Sequence, residues 1–295
     1  MLNRKRKLNQ KKFKLDKDAR VRIENEYSDV SDDFTNYEVY DEEEYEVKPK
    51  RHKKLRKFIF RLVLLCIIVL LINLGILLAT GQLWFNEPKK RDYPVRGPVI
   101  NEDMGTINWN KFAGQNIQMS YIRATKSTAY EDENFQTNWD NAKENGLPSG
   151  ALHIFDIGMD GKEQAEHFID VVGDMSGRLI PAIEVKLSGF YKIIPADYDK
   201  IITRLTDFSN TIEAQYGVKP VIMCGSKIYK NVYKGNFEDN PLWYESLYSK
   251  PDEKIKWDFW GYSNRVKFAY YESGDYLQMV LFSSSEEDFK NYFVN

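Results

Sequence analysis

Cysteine and histidine are scarce: the 295 residues hold two cysteines and three histidines. Cys66 falls inside an apolar run and Cys224 in the C-terminal part of the chain, so a disulfide-built scaffold is excluded. His52, His153 and His167 are scattered with no cysteine cluster beside them, and nothing has the spacing of a metal site. KST at 126–128 has no glycine-rich run ahead of it, which removes a nucleotide phosphate loop. No repeat of fixed period is present, and no cofactor is implied.

Charge of one sign is missing from whole stretches. Residues 1–22 carry ten Lys or Arg, residues 24–46 carry eleven Asp or Glu with no Lys or Arg, and residues 48–57 carry seven Lys or Arg. Such blocks repel themselves and hold too little apolar surface to order, so 1–57 is expected to be a disordered charged tail. Its basic block next to the membrane suits anionic lipid, and its acidic block YEVYDEEEYEV suits a basic cytoplasmic partner. Nucleic acid is not expected as a partner, because the basic blocks face a membrane and the rest of the chain is not strongly basic.

From Leu62 to Thr80 there is no charge for nineteen residues, and the apolar character runs on to Phe85. At 1.5 Å per residue that run is roughly 28 Å long, close to the ~30 Å hydrocarbon thickness. A signal peptide would be shorter and would not sit behind so long a charged tail, so residues 58–85 read as an uncleaved transmembrane helix. KPKRHKKLRK and Arg61 precede the span, against Lys89, Lys90 and Arg91 after it. That asymmetry puts the N-terminus inside the cell and the C-terminal part outside, a single-pass arrangement in the cell membrane. Trp84 and Phe85 then fall at the outer interface. The thiol economy suits a Gram-positive-type cell.

Residues 86–96 read as a stalk and 97–295 as one folded extracellular domain. Short apolar segments at 98–100, 119–125, 151–155, 179–185, 220–224 and 256–263 alternate with helical patterns at 134–146, 161–175 and 197–217. Strand then helix, repeated, predicts an α/β fold with a parallel sheet, and Gly146 and Gly217 are placed to end two helices. Short connections between them suit a closed or partly closed (β/α) barrel, with its site at the C-terminal ends of the strands. Residues 101–104, 123–126, 153–156, 184–186, 225 and 261–263 are then mouth positions.

The run MSYIRATKSTAYEDENFQTNWDNAKENGLPSGALHIF (119–155) resembles the lysozymes of glycoside hydrolase family 25. The likeness rests on Arg123-Ala124-Thr125, Asp132, Phe135, Asn138, Gly146 and Gly150-Ala151-Leu152-His153-Ile154. GTINW (105–109), GKEQAEHF (161–168), LWYESLY (242–248) and WDFWGYS (257–263) extend it over about 97–295. The resemblance implies a (β/α) barrel that cleaves the β-1,4 bond between N-acetylmuramic acid and N-acetylglucosamine with carboxylates at its mouth.

The family's Asp-x-Glu falls on Glu184-Val185-Lys186, so Glu184 is the remaining catalytic carboxylate and Lys186 stands where the resemblance puts the general acid. Alternation sends 184 and 186 to the same side of a strand. The first-strand Asp falls on Val99, the last-strand Asp near Gln278, and the Gln of Trp-Gln-Tyr-Ser on Gly261. Asp103 and Glu102 are substitutes only if their loop folds back. Arg123, His153, Asp156, Lys186, Trp260 and Tyr262 are candidates for glycan contact. Arg123 has an alternative pairing with Asp132 or Glu184, and His153 an alternative place among packed aromatics.

Removal of the general acid alone forfeits the ~10²- to 10⁴-fold that acid catalysis provides. The expectation is therefore a membrane-anchored lysozyme-like domain, hydrolytically impaired, that binds peptidoglycan or docks a cell-wall or secretion protein. The alternatives are an active muramidase with a rearranged site, and a structural interaction domain without glycan affinity.

Overall fold

The computed structural model describes residues 50–79, 86–187, 189 and 196–295. Most of the tail, together with Trp84 and Phe85, lies outside the described residues. The end of the expected tail is helical: helix α1 covers Lys50–Ala79, beginning before the expected span because nothing in KRHKKLRK stops a helix. Its stretch Lys53–Ala79, 27 residues of which the most apolar eighteen reach a mean hydropathy of 3.2, is the one helix among the described residues long and apolar enough to cross a membrane.

The C-terminal unit is built on nine strands: β1 (Arg96–Ile100), β2 (Ser120–Lys126), β3 (Tyr130–Glu131), β4 (Ser149–Phe155), β5 (Ala182–Val185), β6 (Val221–Gly225), β7 (Leu242–Glu245), β8 (Phe259–Val266) and β9 (Leu277–Phe282). The sheet runs β1-β9-β8-β7-β6-β5-β4-β2-β3, and β1 also pairs with β2, which closes it into a barrel. All neighbours from β1 through β2, β4, β5, β6 and β7 to β8 are parallel. β9 is antiparallel to both β8 and β1. Residues 267–276, ten in all, are too few for the crossover a parallel return needs, so β8 and β9 form a hairpin.

Three long helices cover part of the outside: α2 (Phe135–Glu144), α3 (Gly161–Val172) and α4 (Tyr198–Tyr216). Asp160 caps α3 by accepting from the Glu163 N–H at 3.0 Å, and Asp197 caps α4 by accepting from the Lys200 N–H at 3.2 Å. Gly146 and Gly217 follow their helices at φ 67° and 70°, left-handed as expected of C-terminal glycines. α3 and α4 approach so closely that a Cβ at Gly161 would stand 1.7 Å from the Arg204 carbonyl oxygen. Only glycine fits there.

The strict strand-then-helix alternation fails after β6, which is followed only by a helical turn at Ser226–Ile228 and a π turn at Tyr229–Tyr233. The outside of β8 and β9 is covered instead by chain. Trp260, Tyr262, Met279 and Leu281 form a buried cluster against Tyr93 and Trp257. Residues 86–96 are therefore no free stalk: the Asn86 amide donates to the carbonyls of Ser246 and Tyr262 at 3.0 and 3.2 Å. The buried Arg96 donates to the carbonyls of Tyr93 and Pro88.

Inside, Tyr121 packs on Trp243 and Phe259, with ring centroids 5.1 and 6.0 Å apart. These three aromatics plug the barrel below its mouth.

Candidate functional site

Register decides which side chains reach the mouth. Ile154, Glu184 and Met223 are successive cross-strand partners, followed by Trp243 and Phe259. Side chains in register share a face, so Glu184 points to the interior, in the same row as the Trp243 plug. One pleat higher, Gly225, Glu245 and Gly261 are partners across β6, β7 and β8. Two glycines thus flank a single carboxylate.

A cavity of about 320 Å³ opens at this end, lined by Val99, Asn101, Arg123, Lys126, Leu152, Ile154, Phe155, Asp156, Glu184, Lys186 and Gln278. A second, of about 350 Å³, is lined by Val185, Lys186, Leu187, Gly225, Ser226, Lys227, Ile228 and Glu245. Lys186 borders both. Its Nζ donates to Glu184 Oε1 at 2.5 Å, with 57% of the lysine side chain exposed and Glu184 buried.

Arg123 lies across the first cavity, where a bulge between Arg123 and Thr125 shifts the register of β2 against β4. Its Nε donates to Asp132 Oδ2 at 2.8 Å, and its terminal nitrogens reach Glu102 at 3.2 Å and Asp103 at 3.6 Å. Asp132, whose side chain is fully buried, also accepts from the backbone N–H of Glu102 at 3.0 Å and of Asn134 at 3.1 Å. The Tyr130 hydroxyl, with the Glu133 N–H and Arg123, holds the Glu102 carboxyl below its usual range. The structural pairing of Arg123 is the one observed.

Asp156 lines the first cavity, accepting from the Gly158 N–H at 2.9 Å and the Ser127 hydroxyl at 3.4 Å. Asp103 does not: it turns out to solvent beside Arg123, 68% exposed, so its loop does not fold back onto Glu184. His153 is fully buried on the outer face of β4, its ring 4.8 Å from Phe208. Its Nδ1 lies 2.7 Å from the Thr125 hydroxyl and its Nε2 3.3 Å from Gln164 Oε1, a fit for a neutral ring that accepts at Nδ1 and donates at Nε2. Burial lowers its pKa to about 3. Trp260 and Tyr262 belong to the outer cluster beneath residues 86–96, so they offer no face to this mouth. Among the described residues no tyrosine or tryptophan lines either cavity, and no cluster of metal-ligating side chains occurs.

The sequence model of glycosyl hydrolases family 25 matches residues 100–270, more than half of the chain. The chain belongs to glycosyl hydrolase family 25. YegX of Escherichia coli K12 is 28% identical over 180 residues, covering 59% of this chain and 64% of its own length. The autolytic lysozyme of Clostridium acetobutylicum is 25% identical over 181 residues, covering 61% of this chain and 51% of its own. The chain thus spans less than two thirds of the length of these curated relatives. Among solved structures, a family 25 glycosyl hydrolase from Bacillus anthracis superposes with a TM-score of 0.65 at 29% identity, covering 70% of this chain and 96% of that one. A family 25 lysozyme from Aspergillus fumigatus shares the fold at a TM-score of 0.60 and 19% identity, covering 68% and 99%.

Within this family 25 barrel, Glu245 is the mouth residue that motif reading passed over. It ends LWYE, two positions after the buried Trp243, and alternation along that short strand is the signal that would have found it. Burial, and after it the Glu184 carboxylate, raise its pKa, while Lys186 opposes them.

Proposed function

We propose that this family 25 domain binds peptidoglycan glycan at its barrel mouth while hydrolysing it weakly, held at the cell membrane by α1. The observation that carries the reading is the 2.5 Å contact between Lys186 and Glu184. Glycoside hydrolysis needs one protonated carboxylic acid for the leaving oxygen and a second carboxylate for the oxocarbenium-like centre. An ammonium is by its chemistry a far weaker acid than a carboxylic acid, and so a poor donor to a leaving oxygen. Here it also occupies the carboxylate beside it. The relatives named as lysozymes support glycan as the ligand class. The apolar length of Lys53–Ala79 and the lysines and arginines before it support an anchor with its basic end on anionic lipid.

The test uses the full chain in detergent, incubated with insoluble peptidoglycan, with sedimentation and release of new reducing ends both measured. Co-sedimentation with little release is expected. Rapid release that Glu184→Gln abolishes would establish a working muramidase instead, and a protein left in the supernatant would point to docking of another protein. Flotation with vesicles containing anionic lipid, against neutral ones, tests the basic end of α1.

A further inference from the structure

Among the described residues three carboxyls border the mouth cavities, and their surroundings differ. Glu184 is taken by Lys186, and Asp156 is tied down within its own turn by the Gly158 N–H. Glu245 has no cation within 4 Å among the described residues, and its hydrogen bond comes from the Gln278 amide at 3.5 Å. A carboxyl half-buried for structural reasons alone would be paired, because leaving it charged and unpaired is costly. Space has been left around it: a Cβ at Gly225 would meet nothing within 4 Å. On its other side, a Cβ at Gly261 would stand 3.0 Å from Trp243 Nε1, a buried N–H without a hydrogen-bond partner among the described residues.

We propose that Glu245 is the proton donor for the residual glycoside hydrolysis of this mouth, with Glu184 as the second carboxylate. The proposal rests on the glycan-binding reading above. The glycosidic C–O bond breaks as the Glu245 carboxyl gives its proton to the leaving oxygen. Water adds to the anomeric carbon and passes its proton to Glu184, and exchange with solvent returns both groups to their starting states. Lys186 slows the reaction by occupying Glu184. The direction of the Glu245 shift agrees, since a donor must hold its proton nearer to neutral pH than a free glutamate does.

The experiment follows reducing-end release over long incubations for the full chain in detergent with insoluble peptidoglycan, as a function of pH, beside Glu245→Gln and Glu245→Asp. The expected result is slow release by the parent that declines as pH rises through the Glu245 pKa. Glu245→Gln, close in shape, should lose at least tenfold of it together with that alkaline decline, while still sedimenting with the glycan. Glu245→Asp should restore part of the rate. Unchanged release in Glu245→Gln, or no release by a parent that sediments, overturns the assignment of Glu245 and leaves the binding reading standing. A parent that fails to sediment overturns both.

Discussion

On β2 one guanidinium meets three carboxylates, whereas at the end of β5 one carboxylate meets one ammonium. Around Arg123 two of the three partners have further bonds: Asp132 is fully buried with two backbone donors, and Glu102 accepts from Tyr130 and from the Glu133 N–H, while Asp103 stays largely solvated. Neither Arg123 nor Asp132 can move without stranding the other. Around Glu184 the ammonium is more than half exposed, and among the described residues no second carboxylate pairs with it. The first cluster fixes the loop after β1 to the barrel; the second is an adjustable contact in the cavity. Acids beside Arg123 are thus committed to structure, and the carboxyls left for chemistry stand on the β5–β7 side.

Substitutions separate the two clusters by size of effect. Replacing Arg123 with Met strands the buried Asp132 and should cost about 3 kcal/mol, the low end for a broken buried pair because two backbone donors remain. Denaturant unfolding reads this directly, and a loss below 1 kcal/mol would place Arg123 with the adjustable group.

Acid tests whether the shell outside these strands stays neutral. His153 binds a proton far more weakly when folded than its unperturbed value of about 6.5, so the unfolded chain takes up more protons between about pH 6.5 and 3. Its contribution to stability is therefore complete above pH 6.5 and lost as pH falls, by up to about 1.4 kcal/mol per unit. Melting temperature against pH should fall less steeply across that window in His153→Gln than in the parent. Equal slopes would remove His153 from the account.

At β5 the effects belong to chemistry more than to folding. Lys186→Glu supplies a carboxyl and frees Glu184, and should raise reducing-end release at least tenfold, about 1.4 kcal/mol of barrier. No gain would mean that Lys186 is not what limits hydrolysis. The smallest effect is expected for Lys186→Ala, an unfolding free energy loss of about 1 kcal/mol and below that of Arg123→Met, because the lysine is largely solvated and the Glu184 it leaves faces a cavity that water can enter, whereas Asp132 is enclosed.

Sequence patterning reached much of this barrel. Strands β2, β4, β5 and β6, the three long helices and the glycines that end two of them were legible, because apolar runs and stop signals are local. That Glu184 and Lys186 share a side followed from alternation alone. Trp260 and Tyr262 were not legible as outward-facing, since β8 is buried on both faces and an apolar strand does not say which parity looks inward. Asp103 read as a substitute acid because nothing local announces that Arg123, twenty residues away, will hold its loop. Glu245 was missed because alternation along LWYE points it into the barrel only once Trp243 is known to face inward, and an aromatic in a mostly buried strand does not announce its side.

One consequence of the topology concerns timing. β1 pairs with β2 on one side and with β9 on the other, so the first strand of the barrel waits for the last. As the chain is made, about 180 residues must emerge before Arg96 can meet Leu281. Until then β1 and β8 present open edges, which invite pairing with other chains. Closure of so long a loop predicts slow folding. A chain interrupted after β8 would keep the whole charged mouth from Arg123 to Glu245 and still have no ring to hold it.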